Sequence, residues 1–159
     1  TAMKTAGYNV AAWVDDFLNE GNSSFYKIEN EKRLYYDVSI KKYVALPGGD
    51  SFIILSDLTE KTIWKNSACN LYDMGNDVVG LQWNTKMGSI GSEVLEAMNK
   101  SISIAEEKYK GLVIANEGPQ FSAGANVGMI FMLAAEQEYE ELDLAIRMFK
   151  NTKRRIRYS

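Results

Sequence analysis

The chain of 159 residues has no histidine, one cysteine and two prolines. Without histidine, neither a Ser-His-Asp nor a Cys-His arrangement nor a histidine-ligated zinc site can be assembled from this chain alone. Any acid–base work falls to carboxylates, Lys, Tyr or Cys69. A single cysteine excludes an internal disulfide, which agrees with a reducing compartment and leads to a cytoplasmic expectation. No apolar run approaches the roughly 20 residues of a membrane span, and Thr1 to Tyr8 has no signal-peptide core. Charge of one sign is lacking too: 18 basic and 21 acidic residues leave a net −3, which argues against a general nucleic-acid binder. What is present, 46% hydrophobic and 25% charged residues, is ordinary for a globular protein long enough to bury a core.

The most informative stretch is GLVIANEGPQFSAGANVGM, Gly111 to Met129. Leu112 to Ala115 reads as a strand buried on both faces, Asn116-Glu117-Gly118-Pro119 breaks it, and Val127 to Ala135 reads as a helix. Between them Ser122, Ala123, Gly124 and Ala125 are small. Such a loop can present bare backbone N–H groups backed by the positive end of a helix dipole, where a carbonyl oxygen or phosphate can sit. Small residues serve equally where a strand and a helix pack closely, and spacing alone does not choose between the two.

The full string resembles the crotonase (enoyl-CoA hydratase/isomerase) family, which carries a strand, a Phe, a small residue, Ala-Gly-Ala and usually Asp. Here these are Phe121, Ser122, Ala123, Gly124 and Ala125, with Asn126 replacing Asp. The resemblance implies that the backbone from Ala123 through Gly124, Ala125, Asn126, Val127 and Gly128 lies against an acyl-CoA, with Ala123 and Gly124 beside the adenine. It also implies that the Ala125 N–H is one of two donors to the thioester oxygen, a kind of donor whose loss typically costs about 3 kcal/mol. Met87-Gly88-Ser89-Ile90 stands where the family has an apolar residue, Asn, a small residue and Leu, so backbone at Lys86 and Met87 would help hold coenzyme A. The likeness covers about Val78 onward.

Elsewhere the chain reads as a sequence of simple elements. Asn9 to Glu20 has the apolar spacing of an amphipathic helix, with Asn9 as N-cap, Gly21 as terminator, and Trp13 and Phe17 as packing anchors. Phe25–Ile28, Arg33–Val38 and Lys42–Leu46 read as a tyrosine-rich meander, and Phe52–Leu55 as a further strand. The aromatic and basic residues of the meander suggest a single-stranded nucleic-acid face, but Glu29, Glu31 and Asp37 dilute it and a solvated sheet is preferred. Val78–Trp83 is a strand, Ser92 to Tyr109 a helix with Ser92 as its cap and Val94, Leu95, Met98, Ile102 and Ala105 inward, and Gly111 its end. Glu138–Arg157 is a last helix with Leu142, Ala145, Ile146 and Phe149 inward, acidic at its start and basic at its end as the dipole favours.

The expected fold is mixed α/β: a helical segment over 1–23, a β-meander connector over 24–75, and over 76–159 the first β-α-β-α portion of a crotonase-like domain, incomplete. The family's second oxyanion donor and catalytic glutamates lie in later segments, and Glu93, Glu96, Glu106, Glu107 and Glu117 match none of those positions. The resemblance therefore implies an inactive fragment of a β-oxidation enzyme that hydrates or isomerises 2-enoyl-CoA, fused to a 3-hydroxyacyl-CoA dehydrogenase. Coenzyme A thioester would be substrate, no cofactor would be tightly bound, no metal is implied, and NAD would serve only the dehydrogenase part. Self-association through incomplete domain surface is expected. The alternative is a non-catalytic interaction or assembly module.

Overall fold

The computed structural model describes residues 2–159. The chain divides into two units, Thr1–Ile53 and Ile54–Ser159.

In the first unit, short helix α1 (Ala2–Thr5) precedes α2 (Ala12–Asn19), and strands β1 (Tyr26–Glu29), β2 (Lys32–Asp37) and β3 (Lys42–Ala45) form an antiparallel meander. Its core is aromatic. Phe17 stacks on Phe25 with centroids 5.1 Å apart, Tyr36 meets Phe17 edge-on at 4.7 Å, and Trp13 meets Phe25 at 5.2 Å. Each such pair adds about 0.5–1.5 kcal/mol beyond the area it buries. This packing corrects the expected division at residue 23, because the helix and the meander share one core. Asn9 does not cap α2, which starts after Ala11 with no side-chain cap bond.

The second unit is built on a sheet ordered β4-β5-β6-β8. Strands β4 (Thr62–Lys65), β5 (Cys69–Gly75) and β6 (Val78–Trp83) run antiparallel, and β8 (Gly111–Ile114) lies parallel to β6. Parallel neighbours need a crossover, and α3 (Ser92–Lys108) supplies it. Alternation along β6 sends Val79, Leu81 and Trp83 to the α3 face, where Val94, Leu95, Ala97 and Met98 complete the core. Gly80 faces the other way, and a Cβ there would lie 2.7 Å from the Met74 sulfur and 2.8 Å from Leu55. That side holds a smaller cluster of Leu55, Leu58 and Tyr72.

Two expectations change here. The boundary placed at Gly75 falls inside a hairpin: Gly75, Asn76 and Asp77 have positive φ and close the turn between β5 and β6. Phe52–Leu55 is not a strand. Phe52 and Ile53 are exposed, and Leu55 opens a 3-10 turn that plugs the second face of the sheet.

Four further elements complete the unit: the two-residue strands β7 (Ser89–Ile90), before α3, and β9 (Gly124–Ala125), after β8, which pair in parallel, then α4 (Val127–Ala135) and α5 (Tyr139–Tyr158). α5 lies against α3, tied by Asn99 Nδ2 donating to Thr152 Oγ1 at 2.6 Å and by Arg155 reaching Ser103 and Glu106. Of the four residues expected inward on α5, Ile146 is exposed, while Thr152 is buried. No helix among the described residues is long and apolar enough to cross a membrane.

Candidate functional site

The β7–β9 pair brings the two predicted loop segments together. Met87 and Gly88 both adopt positive φ, which turns the chain sharply and lays their carbonyls toward the 116–126 loop. The Met87 carbonyl accepts from Ala123 N–H at 3.0 Å, and the Ile90 carbonyl accepts from Asn126 N–H at 3.2 Å. The Gly88 carbonyl accepts from Ser122 Oγ at 2.6 Å and from the buried Trp83 indole at 3.1 Å. Ser122 Oγ in turn accepts from Gly124 N–H at 2.9 Å, and Asn116 Nδ2 donates to the Phe121 carbonyl at 3.0 Å. Phe121 closes the set by meeting Trp83 edge-on at 5.2 Å.

This network explains the small residues. A Cβ on Gly88 would sit 2.9 Å from the Phe121 carbonyl and 3.1 Å from Ser122 Cα. Glycine stands there because the second loop runs over it, a reason the sequence comparison with Asn did not contain. Gly124, also at positive φ, has open space where a Cβ would go, so conformation alone requires glycine there.

The predicted site residues divide accordingly. Ala123 and Gly124 direct their N–H groups into the loop itself, so neither offers that donor outward. Lys86, Met87, Ala123, Val127 and Gly128 are exposed around the loop, and Ala125 is half-buried between them. Asn126 caps α4: its side-chain oxygen accepts from Met129 N–H at 3.3 Å. That cap is unexpected, whereas the one expected at Ser92 fails, because α3 starts after Gly91 and Ser92 Oγ bonds Glu93 instead. Nor does Gly111 end α3, whose last residue is Lys108; Gly111 opens β8.

Sequence reading missed a cavity of about 290 Å³ between the start of α3, α4 and α5, with Ala125 and Asn126 among its lining residues and an almost wholly apolar exposed surface. Its signal was dispersed over three helices, in residues such as Leu95, Met129 and Phe149, which periodicity marks only as core. Lys150 is the titratable group among its lining residues, with no carboxylate beside it in that lining. Glu117 lies elsewhere, its carboxylate accepting from Ser56 N–H. Burial, with Glu93 and Glu96 nearby, pushes the Cys69 thiol up to about 12. At neutral pH it is a protonated core group and no nucleophile.

No family model matches the chain. The chain is 36% identical over 159 residues to a Bacillus subtilis (strain 168) protein named "Probable 3-hydroxyacyl-CoA dehydrogenase", covering 99% of this chain and 20% of the relative. It is 28% identical over 99 residues to a Rickettsia prowazekii (strain Madrid E) protein named "Putative fatty acid oxidation complex trifunctional enzyme", covering 62% of this chain and 14% of the relative. Among solved structures, the ECH2 decarboxylase domain of CurF from Lyngbya majuscula overlaps 45% of this chain and 31% of its own, with 20% identity and a TM-score of 0.38, too little overlap to fix a fold or a function. The chain thus spans about a fifth, or less, of these two curated relatives, one named for a 3-hydroxyacyl-CoA dehydrogenase and the other for a fatty acid oxidation complex.

Proposed function

We propose that this chain is part of a fatty-acid β-oxidation enzyme of the crotonase kind, acting on acyl-CoA thioesters, and that Ala125 carries its share of the oxyanion hole. The observation that supports this most is the position of Ala125, half-buried where the tied loop meets the apolar cavity. With the Ile90 carbonyl bonded to Asn126, alternation along a parallel strand turns the Ala125 N–H to the other side of β9. A thioester oxygen placed there takes a hydrogen bond that strengthens as the carbonyl gains enolate character. In 2-enoyl-CoA this polarisation makes C3 electrophilic; water adds its oxygen to C3 and a proton goes to C2. The alternative course, isomerisation, moves a proton between carbons through the same enolate.

Backbone at Lys86, Met87 and 123–128 receives coenzyme A, with the carbonyl of Ala123 left to face the adenine since its N–H is engaged in the loop. No acid or base is assigned in this chain, and the isolated chain is inactive on this reading. The dehydrogenase for which the Bacillus relative is named would use NAD elsewhere in a longer protein; there is no Gly-x-Gly-x-x-Gly here to hold it. We place the protein in the cytoplasm.

Calorimetric titration with coenzyme A and with crotonyl-CoA tests the assignment. Both bind, and amide exchange slows over Ala123–Gly128 with crotonyl-CoA alone slowing Ala125. Absence of binding by either ligand sinks the assignment, and hydratase turnover by the isolated chain sinks the statement that it lacks a base. A second reading, an assembly module, draws on α4, which is almost entirely apolar yet has no buried residue; it predicts self-association with no coenzyme A binding.

A further inference from the structure

One hydroxyl joins the two loop segments of the candidate site to the core beneath them. Trp83, 1% exposed and part of the core on the α3 side, donates from its indole to the Gly88 carbonyl at 3.1 Å. The same carbonyl accepts from Ser122 Oγ at 2.6 Å, and Ser122 Oγ accepts from Gly124 N–H at 2.9 Å. This run of hydrogen bonds ends one residue short of Ala125. Gly124 stands at φ +86 with nothing within 4 Å of where a Cβ would lie, so no neighbour crowds it into that conformation. Glycine passes between left- and right-handed backbone at little cost, and the β7–β9 ladder is only two residues long. The ties at either end therefore decide where the Gly124–Ala125 peptide points. Beyond it, Asn126 N–H is held by the Ile90 carbonyl at 3.2 Å; before it, Gly124 N–H is held by Ser122.

We infer that Ser122 is a positioning residue for the oxyanion donor: its hydroxyl fixes the Gly124–Ala125 peptide, so that the Ala125 N–H is aimed before a thioester carbonyl arrives. The inference rests on the acyl-CoA reading above. A backbone N–H stabilises a developing oxyanion most when its dipole is set in advance and nothing is left to reorganise during the reaction. An alanine would fill much the same space at position 122, but only the hydroxyl bridges the Gly88 carbonyl and the Gly124 N–H. Without it Gly124 regains its freedom in the empty site and has to be ordered at each binding event. Ordering one backbone residue weakens binding about five- to thirtyfold. Coenzyme A alone, which has no thioester oxygen, does not feel that loss.

The test compares the unaltered chain with Ser122→Ala by calorimetric titration with coenzyme A and with crotonyl-CoA, and by the infrared stretch of the bound crotonyl-CoA carbonyl. In the unaltered chain that band lies at lower wavenumber than in free crotonyl-CoA, as a polarised carbonyl requires. Ser122→Ala leaves coenzyme A affinity within about twofold and shrinks the advantage of crotonyl-CoA over coenzyme A about fivefold or more. It also returns the band toward its free position. Ser122→Cys, whose thiol is a weaker donor and acceptor, moves both readouts the same way by less, and serves if alanine prevents folding. A folded variant that keeps the band and the advantage overturns the inference and leaves the acyl-CoA reading standing. So does an equal loss of affinity for both ligands, which marks a hydroxyl that only holds the loop together. If the unaltered chain binds crotonyl-CoA with its band unshifted, the Ala125 donor falls and this inference with it, while thioester binding stands. No binding of either ligand by the unaltered chain overturns both readings.

Discussion

Two helices of the second unit, α3 and α4, follow opposite accounts of where apolar side chains go. α3 mixes charged and apolar residues, and Val94, Leu95, Ala97, Met98, Ile102 and Ala105 are all buried against the sheet. α4 reads Val-Gly-Met-Ile-Phe-Met-Leu-Ala-Ala, yet none of its residues is buried, and Val127 and Phe131 are 71% and 72% exposed. In α3 the apolar stripe is as wide as the surface offered to it. In α4 apolar surface exceeds what this chain can cover, which is the signature of an interaction face. The contrast is measurable by urea denaturation. Ile102→Ala costs about 2–5 kcal/mol by emptying a packed site, whereas Phe131→Ala stays within about 0.5 kcal/mol. These losses are read at concentrations where the chain is monomeric, and comparable losses at the two positions there would mean that α4 packs within its own chain and that the contrast is void. Sedimentation sharpens the point: the chain self-associates through α4, and Phe131→Glu returns it toward monomer. A clean monomer without the substitution would end the proposal of self-association.

A similar pairing of crowded and open positions separates the loop glycines. Gly88→Ala must accept both left-handed backbone and a carbonyl 2.9 Å from the new Cβ, at a cost of about 2–4 kcal/mol. Gly124→Ala meets open space and pays only for conformation, about 1 kcal/mol. Thermal unfolding followed by tryptophan fluorescence, with Trp13→Phe and Trp64→Phe in the background so that Trp83 alone reports, reads the two directly, since the Trp83 indole donates to the Gly88 carbonyl. Equal effects would show that the loop does not lie over Gly88 as described.

Much of this unit was legible because local pattern and tertiary role coincide. The helix from Val127 to Ala135, the strand from Val78 to Trp83 and the inward face of α3 follow from the local apolar pattern, and the structure places them as read. The failures occur where neighbours in space decide. Gly75-Asn76-Asp77 is a turn in either reading, but only the pairing of Leu71 with Leu81 shows that it joins two strands of one sheet. Phe52 to Leu55 has strand composition without a partner edge, so its apolar residues cannot settle its form. The small side chains at 122–125 were visible, yet their tie to residues 87–90 was not, because β7 and β9 are two residues long and carry no period. The cavity was illegible for the same reason, being assembled from three helices at once.

The last of the predicted effects concerns the face of the sheet that α3 covers. Cys69 is 1% exposed and part of that core, and burial above all, then Glu93 and Glu96, raises its thiol from 9.0 to about 12. A raised pKa means that the folded state holds the proton longer than the unfolded one, so the stabilisation is complete below pH 9 and is lost as pH climbs toward 12. By pH 10 the loss amounts to about 1 kcal/mol. Burial raises the Tyr72 hydroxyl as well, which adds a loss of the same sign at higher pH. Urea denaturation at pH 8 and pH 10 then shows the unaltered chain losing about 1 kcal/mol more than Cys69→Ala. Identical pH dependence in the two chains would place the thiol in contact with water, and the core on the α3 side would be less completely closed than the contrast with α4 requires.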